Sequence, residues 1–331
     1  MKALIPVAGI GSRLRPHTHT QPKSLIPVAG KPILAHIIDS LIASGIDEFV
    51  FIIGYLGDKI EQYVTHNYSD IKSYFVVQTD GKGTGHAIWL AKDLLNDKEP
   101  VLIVFGDTIV QADLRKLIET DHSLLGVKRV NDPREFGVAE IEDNGLITKL
   151  VEKPNIPKSN QALVGIYKIC ETKQLKQALN YSIEHGVINR GEYQLTDVLM
   201  LMIDNGVKMY AYHVDAWFDC GKKDILLETN AILLKGDGYT RAKASDFSNT
   251  IIIDPVYIGA DSKISNSIIG PNVSIGNNII MNYSIIKNSI IGPYSHLENA
   301  NLDNSIIGND ASLKGVSLSL NLGDSTEINF G

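Results

Sequence analysis

Short apolar runs alternate with helical patterns in the N-terminal part of the chain. Ala3–Val7, Phe49–Ile53 and Val101–Phe105 are rich in β-branched and aromatic residues, as is typical of buried strands. Between them, the apolar residues of Pro32–Ser44 and Gly57–Val64 recur at helical spacing. Parallel strands need helical crossovers to return, so this alternation predicts a doubly wound α/β domain that binds ligands at the carboxyl ends of its strands.

The alternation continues through Tyr74–Gln78 and Gly83–Leu95 and then changes. From Leu124 to about Lys168 the pattern is one of short alternating strands, which predicts an antiparallel insertion on one side of a pocket. Helical patterns resume at Lys173–His185 and Gln194–Asn205.

After about Ser248 the hydrophobic period fits neither a helix nor a simple strand. The segment NSIIG begins at Asn266, Asn288 and Asn304, and Gly, Asn, Ser and Asp fill the gaps between aliphatic residues. Such a hexapeptide-like repeat predicts a parallel β-helix in which each short strand turns one aliphatic residue inward, and the alternative is a β-sandwich with Asn/Gly turns. The repeating positions are Ile258, Ile264, Ile269, Ile275, Ile280, Ile285, Ile291, Leu297, Leu302, Ile307 and Leu313.

This change in period suggests two domains. We expect a first domain over residues 1–235, a polar, Gly-containing linker over 236–248 and the β-helix over 249–331. A length of 331 residues also exceeds what one hydrophobic core usually supports.

Composition narrows the functional classes. The chain has 31 Lys and Arg against 38 Asp and Glu, a net charge of −7, so it offers no general electrostatic surface for nucleic acid or an anionic membrane. Cys170 and Cys220 are too few for a disulfide framework, and no zinc site is apparent. The N-terminal apolar run is too short for a signal peptide, and no other stretch is long enough to span a membrane, so we expect a soluble cytoplasmic protein.

A Gly-rich loop with nearby cations follows the first predicted strand. Glycines in Gly9–Arg13 allow backbone N–H groups to approach phosphate oxygens. The loop lacks the third Gly of a dinucleotide fingerprint and the Lys-Ser/Thr ending of a P-loop. Arg13, Arg15, Lys23 and Lys31 lie in the same segment, which favours polyphosphate binding over solvated surface charge.

The string IPVAGIGSRLRPHTHTQPKSLIPVAGKPIL resembles the signature of the sugar-1-phosphate nucleotidyltransferases, in which A-G-x-G-x-R-L-x-P-x-T is followed by P-K and K-P. Further matching segments occur in the family's order at Gln78–Ala87, Gly106–Thr108, Glu152–Pro154, Gln194–Asp197 and Trp217–Gly221. The resemblance implies a Rossmann-like nucleotidyltransferase domain with an antiparallel sugar-binding insertion, followed by the left-handed β-helix of several branches of the family.

The resemblance also implies a reaction between two anions, a nucleoside triphosphate and a sugar-1-phosphate, which gives a nucleotide-sugar and pyrophosphate. It assigns catalytic roles to Arg13, at the departing pyrophosphate, and to Lys23, between the α-phosphate and the sugar phosphate. Lys153 and Arg190 would hold the sugar phosphate. Residues Ala8, Gly9, Gly11, Ser12 and Thr84 would contact the nucleotide.

Two aspartates are the candidate ligands for Mg²⁺. Asp107 directly follows a predicted strand, and Asp219 lies in the Trp-Phe-Asp-Cys-Gly segment. Hard divalent cations prefer carboxylate and phosphate oxygens, and strand ends are where such ligands are expected. Cys220 is expected to be a buried structural thiol.

The base and the sugar are predicted less specifically. The Gln78 amide carries a donor and an acceptor and can pair with a pyrimidine, and Gly83 would let the base lie against backbone. Residues 83–87 resemble the uridylyl branches especially, but the sequence does not separate UTP from dTTP. Gly137, Glu152 and Gly165 would surround the sugar. Glucose-1-phosphate is the default from the branches resembled, followed by an amino-sugar phosphate, and His86 is expected to have a structural role.

Two other functions compete with this one. Left-handed β-helices often belong to acyltransferases that form a homo-oligomer, and an N-acetylglucosamine-1-phosphate uridylyltransferase with acetyltransferase activity is one alternative, although the repeat offers only His296 as a base. A non-catalytic chain that binds nucleotide-sugar is the other, and the presence of Arg13, Lys23, Asp107 and Asp219 together argues against it. We expect a homo-oligomer, because the sides and open end of a β-helix must be covered.

Overall fold

The computed structural model describes residues 1–236 and 246–315. The chain divides into two compact units, Met1–Thr229 and Asn230–Gly331. Of the predicted linker, residues 237–245 lie outside the described residues, and so do residues 316–331 of the predicted β-helix.

The first unit alternates strands and helices. Its strands are β1 Lys2–Pro6, β2 Pro27–Val28, β3 Lys31–Pro32, β4 Glu48–Ile53, β5 Lys72–Val77, β6 Val101–Val104, β7 Thr108–Gln111, β8 Ser123–Arg129, β9 Gly137–Ile141, β10 Ile147–Glu152, β11 Gln161–Ile169, β12 Met209–His213 and β13 Ala216–Asp219. Its helices are α1 Ile33–Ala43, α2 Gly57–Asn67, α3 Thr84–Leu90, α4 Leu114–Glu119, α5 Thr172–Glu184, α6 Leu195–Asp204 and α7 Lys223–Leu233, the last of which runs past Thr229.

These elements follow the hydrophobic pattern closely. In β4 every residue from Phe49 to Ile53 is buried, as expected for a central parallel strand. In α1 the buried positions are Ile33, Leu34, Ile37, Ile38 and Leu41 with Ala35, which gives one apolar face at helical spacing. The helix predicted over 83–95 is shorter than expected, because α3 is followed by a separate 3₁₀ turn at Lys92–Leu94.

One mixed sheet organises the first unit, in the order β10-β9-β11-β6-β1-β4-β5, with β8 paired to β11 and β12 paired to β8. Strands β6, β1, β4 and β5 are parallel, whereas β11 is antiparallel to β6, β8 and β9. The predicted doubly wound α/β fold with an antiparallel insertion is therefore confirmed.

The carboxyl ends of the parallel strands meet at one edge of this sheet. Backbone hydrogen bonds join the residues that leave it, from Val7 N to Ile52 O (2.8 Å), from Gln78 N to Ile53 O (2.8 Å) and from Gly106 N to Pro6 O (3.3 Å). The loops after β1, β5 and β6 are thus held side by side.

The second unit is built from three four-stranded parallel sheets, as predicted for the left-handed β-helix. Successive coils stack in register, so that Ile264 pairs with Met281, Met281 with Leu297 and Leu297 with Leu313. Its strands are β14 Ile251–Ile252, β15 Val256–Ile258, β16 Lys263–Ser265, β17 Ile268–Ile269, β18 Val273–Ile275, β19 Ile280–Asn282, β20 Ile285–Lys287, β21 Ile290–Ile291, β22 His296–Glu298, β23 Asn301–Asp303, β24 Ile306–Ile307 and β25 Ser312–Lys314.

Two of the predicted inward positions are wrong. Ile280 is 50% exposed and Ile285 is 46% exposed, whereas the neighbouring residues Met281 and Ile286 are buried in the core of the β-helix. Successive side chains on a strand face opposite sides, so a shift of one residue exchanges inside for outside.

Asparagine accounts for many corners of the β-helix. Asn266, Asn272 and Asn288 adopt positive φ angles of 50°, 60° and 46°. Asn tolerates this left-handed conformation better than most residues with a side chain. The Asn272 amide donates to Asn288 Oδ1 of the next coil at 2.9 Å, so the same residue turns the chain and links the coils.

Candidate active site

A cavity of about 370 Å³ lies at the carboxyl edge of the first unit's sheet. It brings together the Gly-rich loop after β1, the residue after β5 and the Gly-Asp step after β6, as expected for an α/β sheet. Nine of the predicted site residues line it, namely Ala8, Gly9, Gly11, Ser12, Lys23, Gln78, Gly83, Thr84 and Asp107.

The Gly-rich loop turns into a short 3₁₀ helix at Ser12–Leu14. Gly11 begins this turn with a φ of 69°, and its carbonyl oxygen accepts a hydrogen bond from Thr18 Oγ1 at 2.9 Å. A Cβ atom at Gly11 would lie 3.0 Å from Lys23 Cβ. Gly11 therefore allows the loop to pass close to the segment that carries Lys23.

Lys23 lies between the two predicted metal ligands. Its Nζ is 2.5 Å from Asp107 Oδ2 and 4.0 Å from Asp219 Oδ1, and its side chain is only 11% exposed. Asp219 is the last residue of β13 and pairs in register with Thr108 of β7, which fixes it beside Asp107. The sequence-predicted Lys23, Asp107 and Asp219 thus form one cluster.

The two aspartates have opposite pKa shifts. Burial raises the pKa of Asp107, but the nearby charge of Lys23 and its hydrogen bond outweigh burial, so the pKa of Asp107 falls below its usual value. Burial and the charge of Asp107 raise the pKa of Asp219, and Lys23 and Arg13 only partly offset this. Lys23 and Arg13 together do not bring the pKa of Asp219 back to its usual value, so a further cation at this carboxylate would favour its ionised form.

Arg13 does not line the cavity but approaches the same cluster through Gly221. A Cβ atom at Gly221 would lie 2.8 Å from Arg13 Nη2, 3.0 Å from Asp219 Oδ1 and 3.1 Å from Lys23 Nζ. The absence of a side chain at Gly221 is therefore what lets these three charged groups converge. The sequence singled out Trp217–Gly221 as a family segment but did not predict this role for the glycine.

The predicted base-binding residues lie at another part of the cavity. Gln78 Nε2 donates to Gly83 O at 3.1 Å and is 3.0 Å from His86 Nδ1, so His86 orients the Gln78 amide. Gly83 has a φ of 98°, and a Cβ atom there would lie 2.5 Å from Tyr193 O. Gly83 thus permits close packing of the segment around Tyr193.

The predicted sugar residues form a separate group. Gly137 and Glu152 are paired in register on β9 and β10, and Thr196 Oγ1 donates to Glu152 Oε2 at 2.7 Å. Lys153 Nζ lies 3.5 Å from Glu152 Oε1. Gly165, on β11, has a φ of 78° and lies against the Phe105 ring, so its observed contact is structural.

Arg190 joins this group through backbone and side-chain contacts. Its Nη2 donates to Lys153 O at 2.6 Å and to Asn155 Oδ1 at 3.2 Å. The turn that carries Arg190 is held by Asn189, which donates to Asp197 Oδ1 at 3.3 Å. None of Gly137, Glu152, Lys153, Gly165 and Arg190 lines the 370 Å³ cavity.

Sequence reasoning missed Ser24 and Glu192, which also line the cavity. Ser24 is 5% exposed, and its Oγ has no hydrogen-bond partner among the described residues. Its place directly after Lys23 could have indicated it. Glu192, in contrast, reaches the cavity from a distant turn for which no motif gave a signal.

The next two features concern residues 1–236 and 246–315, the ranges that the structure describes. No group of three or more His, Cys, Asp or Glu residues there could hold a metal ion. No helix in those ranges combines the length and apolar character needed to cross a bilayer.

Known proteins resemble this chain over its first unit and beyond. It is 34% identical over 244 residues to Agl11 of Haloferax volcanii, a low-salt glycan biosynthesis nucleotidyltransferase. This alignment covers 71% of this chain and 66% of Agl11. A glucose-1-phosphate thymidylyltransferase of Streptomyces antibioticus is 32% identical over 282 residues, 82% of this chain and 77% of that one. The bifunctional protein GlmU of Methanocaldococcus jannaschii is 37% identical over 238 residues, and this alignment covers 71% of this chain and 54% of GlmU.

A solved structure supports the fold. A UDP-glucose pyrophosphorylase complexed with UDP-glucose aligns with a TM-score of 0.62 at 23% identity, and the alignment covers 71% of this chain and 98% of that one. The family described as nucleotidyl transferase matches residues 2–236, which include every residue of the predicted site. This match, together with the glucose-1-phosphate thymidylyltransferase relative, confirms the predicted resemblance: the chain belongs to the nucleotidyl transferase family, as an enzyme of its sugar-1-phosphate class.

Proposed function

We propose that this chain transfers a nucleotidyl group from a pyrimidine nucleoside triphosphate, dTTP or UTP, to glucose-1-phosphate. An oxygen of the sugar phosphate attacks the α-phosphorus, the bond from that phosphorus to the bridging oxygen breaks, and pyrophosphate leaves with the electron pair. The observation that carries this proposal is the convergence of Arg13, Lys23 and Asp219 around Gly221, with Asp107 paired to Lys23.

Arg13 and Lys23 supply the fixed positive charge for this step. Lys23 holds the α-phosphate close to the sugar phosphate, and Arg13 stabilises the departing pyrophosphate. Charges positioned before the reaction need little reorganisation as the transition state forms, which is why they contribute strongly to catalysis. The Gly-rich loop, Ala8 to Ser12, and Thr84 contact the nucleotide in this scheme.

The carboxylates of Asp107 and Asp219 fit Mg²⁺, because their oxygens are the donors that this ion prefers and because Lys23 and Arg13 only partly offset the raised pKa of Asp219. When bound, Mg²⁺ would hold the triphosphate and spread its developing charge. Asp107 and Asp219 would hold the ion, while Lys23 turns from its carboxylate partner to a phosphate oxygen.

The sugar and the base are recognised by different groups. Glu152 accepts hydrogen bonds from sugar hydroxyls beside Gly137 and Gly165, and Lys153 and Arg190 hold the sugar phosphate. The Gln78 amide pairs with the pyrimidine edge next to Gly83. Similarity to a glucose-1-phosphate thymidylyltransferase supports glucose and thymine. An amino-sugar phosphate is the second choice.

A matrix assay tests the proposal. Pyrophosphate release is measured for dTTP, UTP, ATP and GTP against glucose-1-phosphate and N-acetylglucosamine-1-phosphate, with Mg²⁺ and with EDTA. We expect turnover with a pyrimidine triphosphate that EDTA abolishes reversibly. Lys23→Met should lower turnover by about 10²–10³, the typical cost of removing one such group. Turnover only with purines, or full turnover in EDTA, contradicts the proposal.

Acetyl transfer by the β-helix is the second candidate, because a relative from Sulfurisphaera tokodaii, 32% identical over 270 residues, is described as a bifunctional sugar-1-phosphate nucleotidylyltransferase/acetyltransferase. Exposed His296 borders a cavity of about 580 Å³ on the sheet of β16, β19 and β22. Transfer from radiolabelled acetyl-coenzyme A to an amino-sugar phosphate, lost in His296→Ala, would add this activity. If acetyl transfer does not exceed background, this second activity is rejected.

We further propose a cytoplasmic homo-oligomer, with residues 1–235 carrying nucleotidyl transfer and the β-helix of 249–331 serving assembly and stability. Cys170 and Cys220 are free thiols, in keeping with a reducing compartment. Light scattering on the eluted protein measures the number of copies.

A further inference from the structure

A second cavity, of about 780 Å³, lies in the first unit away from the candidate active site. Its walls come from the β8–β9 connection, the β10–β11 loop, strand β9, the start of β11 and the end of β12. It shares no lining residue with the 370 Å³ cavity. Its volume is in the range typical of sites for small molecules.

One side chain at this cavity has a hydrogen-bond acceptor that lacks a donor among the described residues. Gln161 begins β11 and lines the cavity, and its Oε1 is buried without a hydrogen-bond donor among the described residues. The backbone N–H of Gln161 has a partner, because it donates to Ser159 Oγ at 3.2 Å. A buried acceptor without a partner is costly and uncommon, so a donor from a ligand would remove a real penalty.

The other side chains define the chemistry of that ligand. Asn131 and Asn160 contribute amides, each of which both donates and accepts. Glu140, Lys158 and His213 add one carboxylate, one ammonium group and one imidazole. Within residues 1–236 and 246–315, the side chains of Asn131, Glu140 and Lys158 have no hydrogen bond or ion pair.

This lining excludes two classes of ligand. A single lysine opposite a glutamate does not make a phosphate site, which needs several converging cations or backbone N–H groups. Two prolines and one isoleucine do not make an apolar pocket. Mixed amides, hydroxyl and charged groups match a neutral molecule whose hydroxyls both donate and accept.

We propose that this cavity is a second, carbohydrate-binding site, which takes a neutral sugar unit. Because Gln161 Oε1 is itself buried, the Gln161 side chain rotates towards the cavity to accept a hydrogen bond from a sugar hydroxyl. The site is distinct from the sugar-phosphate group of the candidate active site. The two are joined through the β10–β11 loop, which begins at Lys153 and whose far half, Pro157–Asn160, lines the second cavity.

Binding of methyl glycosides to the full-length protein tests this proposal. The probes are the methyl glycosides of glucose, mannose, galactose, rhamnose and N-acetylglucosamine, which have no phosphate and a blocked anomeric oxygen and so cannot be substrates. Titration followed by saturation-transfer NMR should show saturable binding of at least one glycoside at millimolar concentration. Gln161→Leu should weaken that binding at least tenfold.

Matched variants identify where the sugar binds. Gln78→Leu makes the same substitution in the 370 Å³ cavity, and Glu152→Gln alters the sugar-phosphate group, so neither should change glycoside affinity. Asn131→Ala, at an exposed position, should also weaken glycoside binding. This variant tests the same cavity if Gln161→Leu does not fold. Gln161→Leu should not lower the melting temperature, because it removes an unpaired buried acceptor.

The proposal is overturned if none of the five glycosides binds saturably. It is equally overturned if Glu152→Gln abolishes binding while Gln161→Leu and Asn131→Ala leave it intact, because the glycoside then occupies the candidate active site. These outcomes do not depend on nucleotidyl transfer, which the pyrophosphate assay measures separately.

Discussion

At the scale of single residues, the candidate active site is defined by the charged groups that it brings together. Lys23 is shared unequally by two carboxylates, at 2.5 Å from Asp107 and 4.0 Å from Asp219. The closer carboxylate has a lowered pKa and the farther one a raised pKa. An additional cation would stabilise this cluster, while the arrival of phosphates gives Lys23 and Arg13 new partners. The same residues therefore suit both a metal and a triphosphate.

Gly221→Ala tests the convergence of these charges without removing any of them. The added Cβ would lie 2.8 Å from Arg13 Nη2, the end of a flexible side chain, so the chain should fold while Arg13 is displaced. We expect kcat/KM for pyrophosphate release to fall by about 10²-fold. The melting temperature should change little, because Gly221 is not among the residues with positive φ.

Gly83→Ala is the contrasting variant. At Gly83 the new Cβ meets backbone, 2.5 Å from Tyr193 O, and the φ of 98° is itself unfavourable for alanine. We expect a loss of about 1–3 kcal/mol in unfolding free energy. Equal melting temperatures for the two variants would show that Gly83 is not the structural glycine.

His36 gives a prediction about pH. Burial lowers the pKa of His36 to about 4, and its Nε2 lies 2.9 Å from Val28 O. An unfolded histidine has a pKa of about 6.5, so the unfolded chain binds more protons between these values, and stability falls as the pH drops from about 6.5 towards 4. The total loss is roughly 3 kcal/mol for a shift of this size.

Urea unfolding midpoints at pH 7 and pH 4.5 measure this effect. His36→Gln should flatten the decrease between these two pH values, whereas His66→Gln, at an exposed position, should leave it as in the wild type. A decrease that is unchanged in His36→Gln would assign the acid sensitivity to other groups.

How far the sequence predicts these residues depends on whether they are close in the chain. Gly11 and Lys23 lie in one continuous motif, and they are adjacent in space as well. Ser24 was available from the same motif, but the unpaired state of its hydroxyl follows only from the surrounding packing. Glu192 reaches the cavity through the tertiary fold, and local pattern carries no information about such contacts.

At the scale of elements, the hydrophobic period predicts the kind of secondary structure better than it predicts which side chains face the core. The aliphatic repeat correctly indicates a β-helix, but Ile280 and Ile285 are followed by a second large apolar residue, and sequence alone cannot say which of the two is inside. The stacked residues of the neighbouring coils determine which residue faces inward, because Met281 must align with Ile264 in one coil and with Leu297 in the next. Neighbouring coils supply information that a single strand lacks.

Helix α6 provides a prediction about the sugar-phosphate group. Its second residue, Thr196, donates to Glu152 Oε2, and the Glu152 side chain is only 9% exposed. A hydrogen bond to a buried carboxylate is worth about 1.5–3 kcal/mol. Thr196→Val should therefore raise KM for the sugar phosphate about tenfold or more, with a smaller effect on KM for the nucleotide.

Thr196→Ser is the matched control for this variant, because it keeps the hydroxyl. It should behave like the wild type in the same steady-state assay. If Thr196→Ser is as impaired as Thr196→Val, the methyl group matters and the hydrogen bond to Glu152 does not position the carboxylate.

At the scale of the whole molecule, the matched family and the predicted site coincide. The family match ends at residue 236, and all the predicted site residues precede that point. The second unit begins at Asn230, within α7, where Asn230 Nδ2 donates to Asn272 O at 3.1 Å and Ser274 Oγ donates to Asn230 Oδ1 at 2.6 Å. The last turn of α7 is therefore stabilised by the β-helix, although the helix belongs to the matched family segment.

Truncation after Gly236 separates chemistry from assembly. The shortened chain keeps every predicted site residue, so we expect measurable pyrophosphate release from it. It loses Asn272 and Ser274, the partners of the fully buried Asn230, so we also expect a lower melting temperature and a change in oligomer size. Light scattering and calorimetry beside the pyrophosphate assay on both chains measure all three. A truncated protein that is folded and unchanged in size but inactive would mean that the β-helix contributes to nucleotidyl transfer itself.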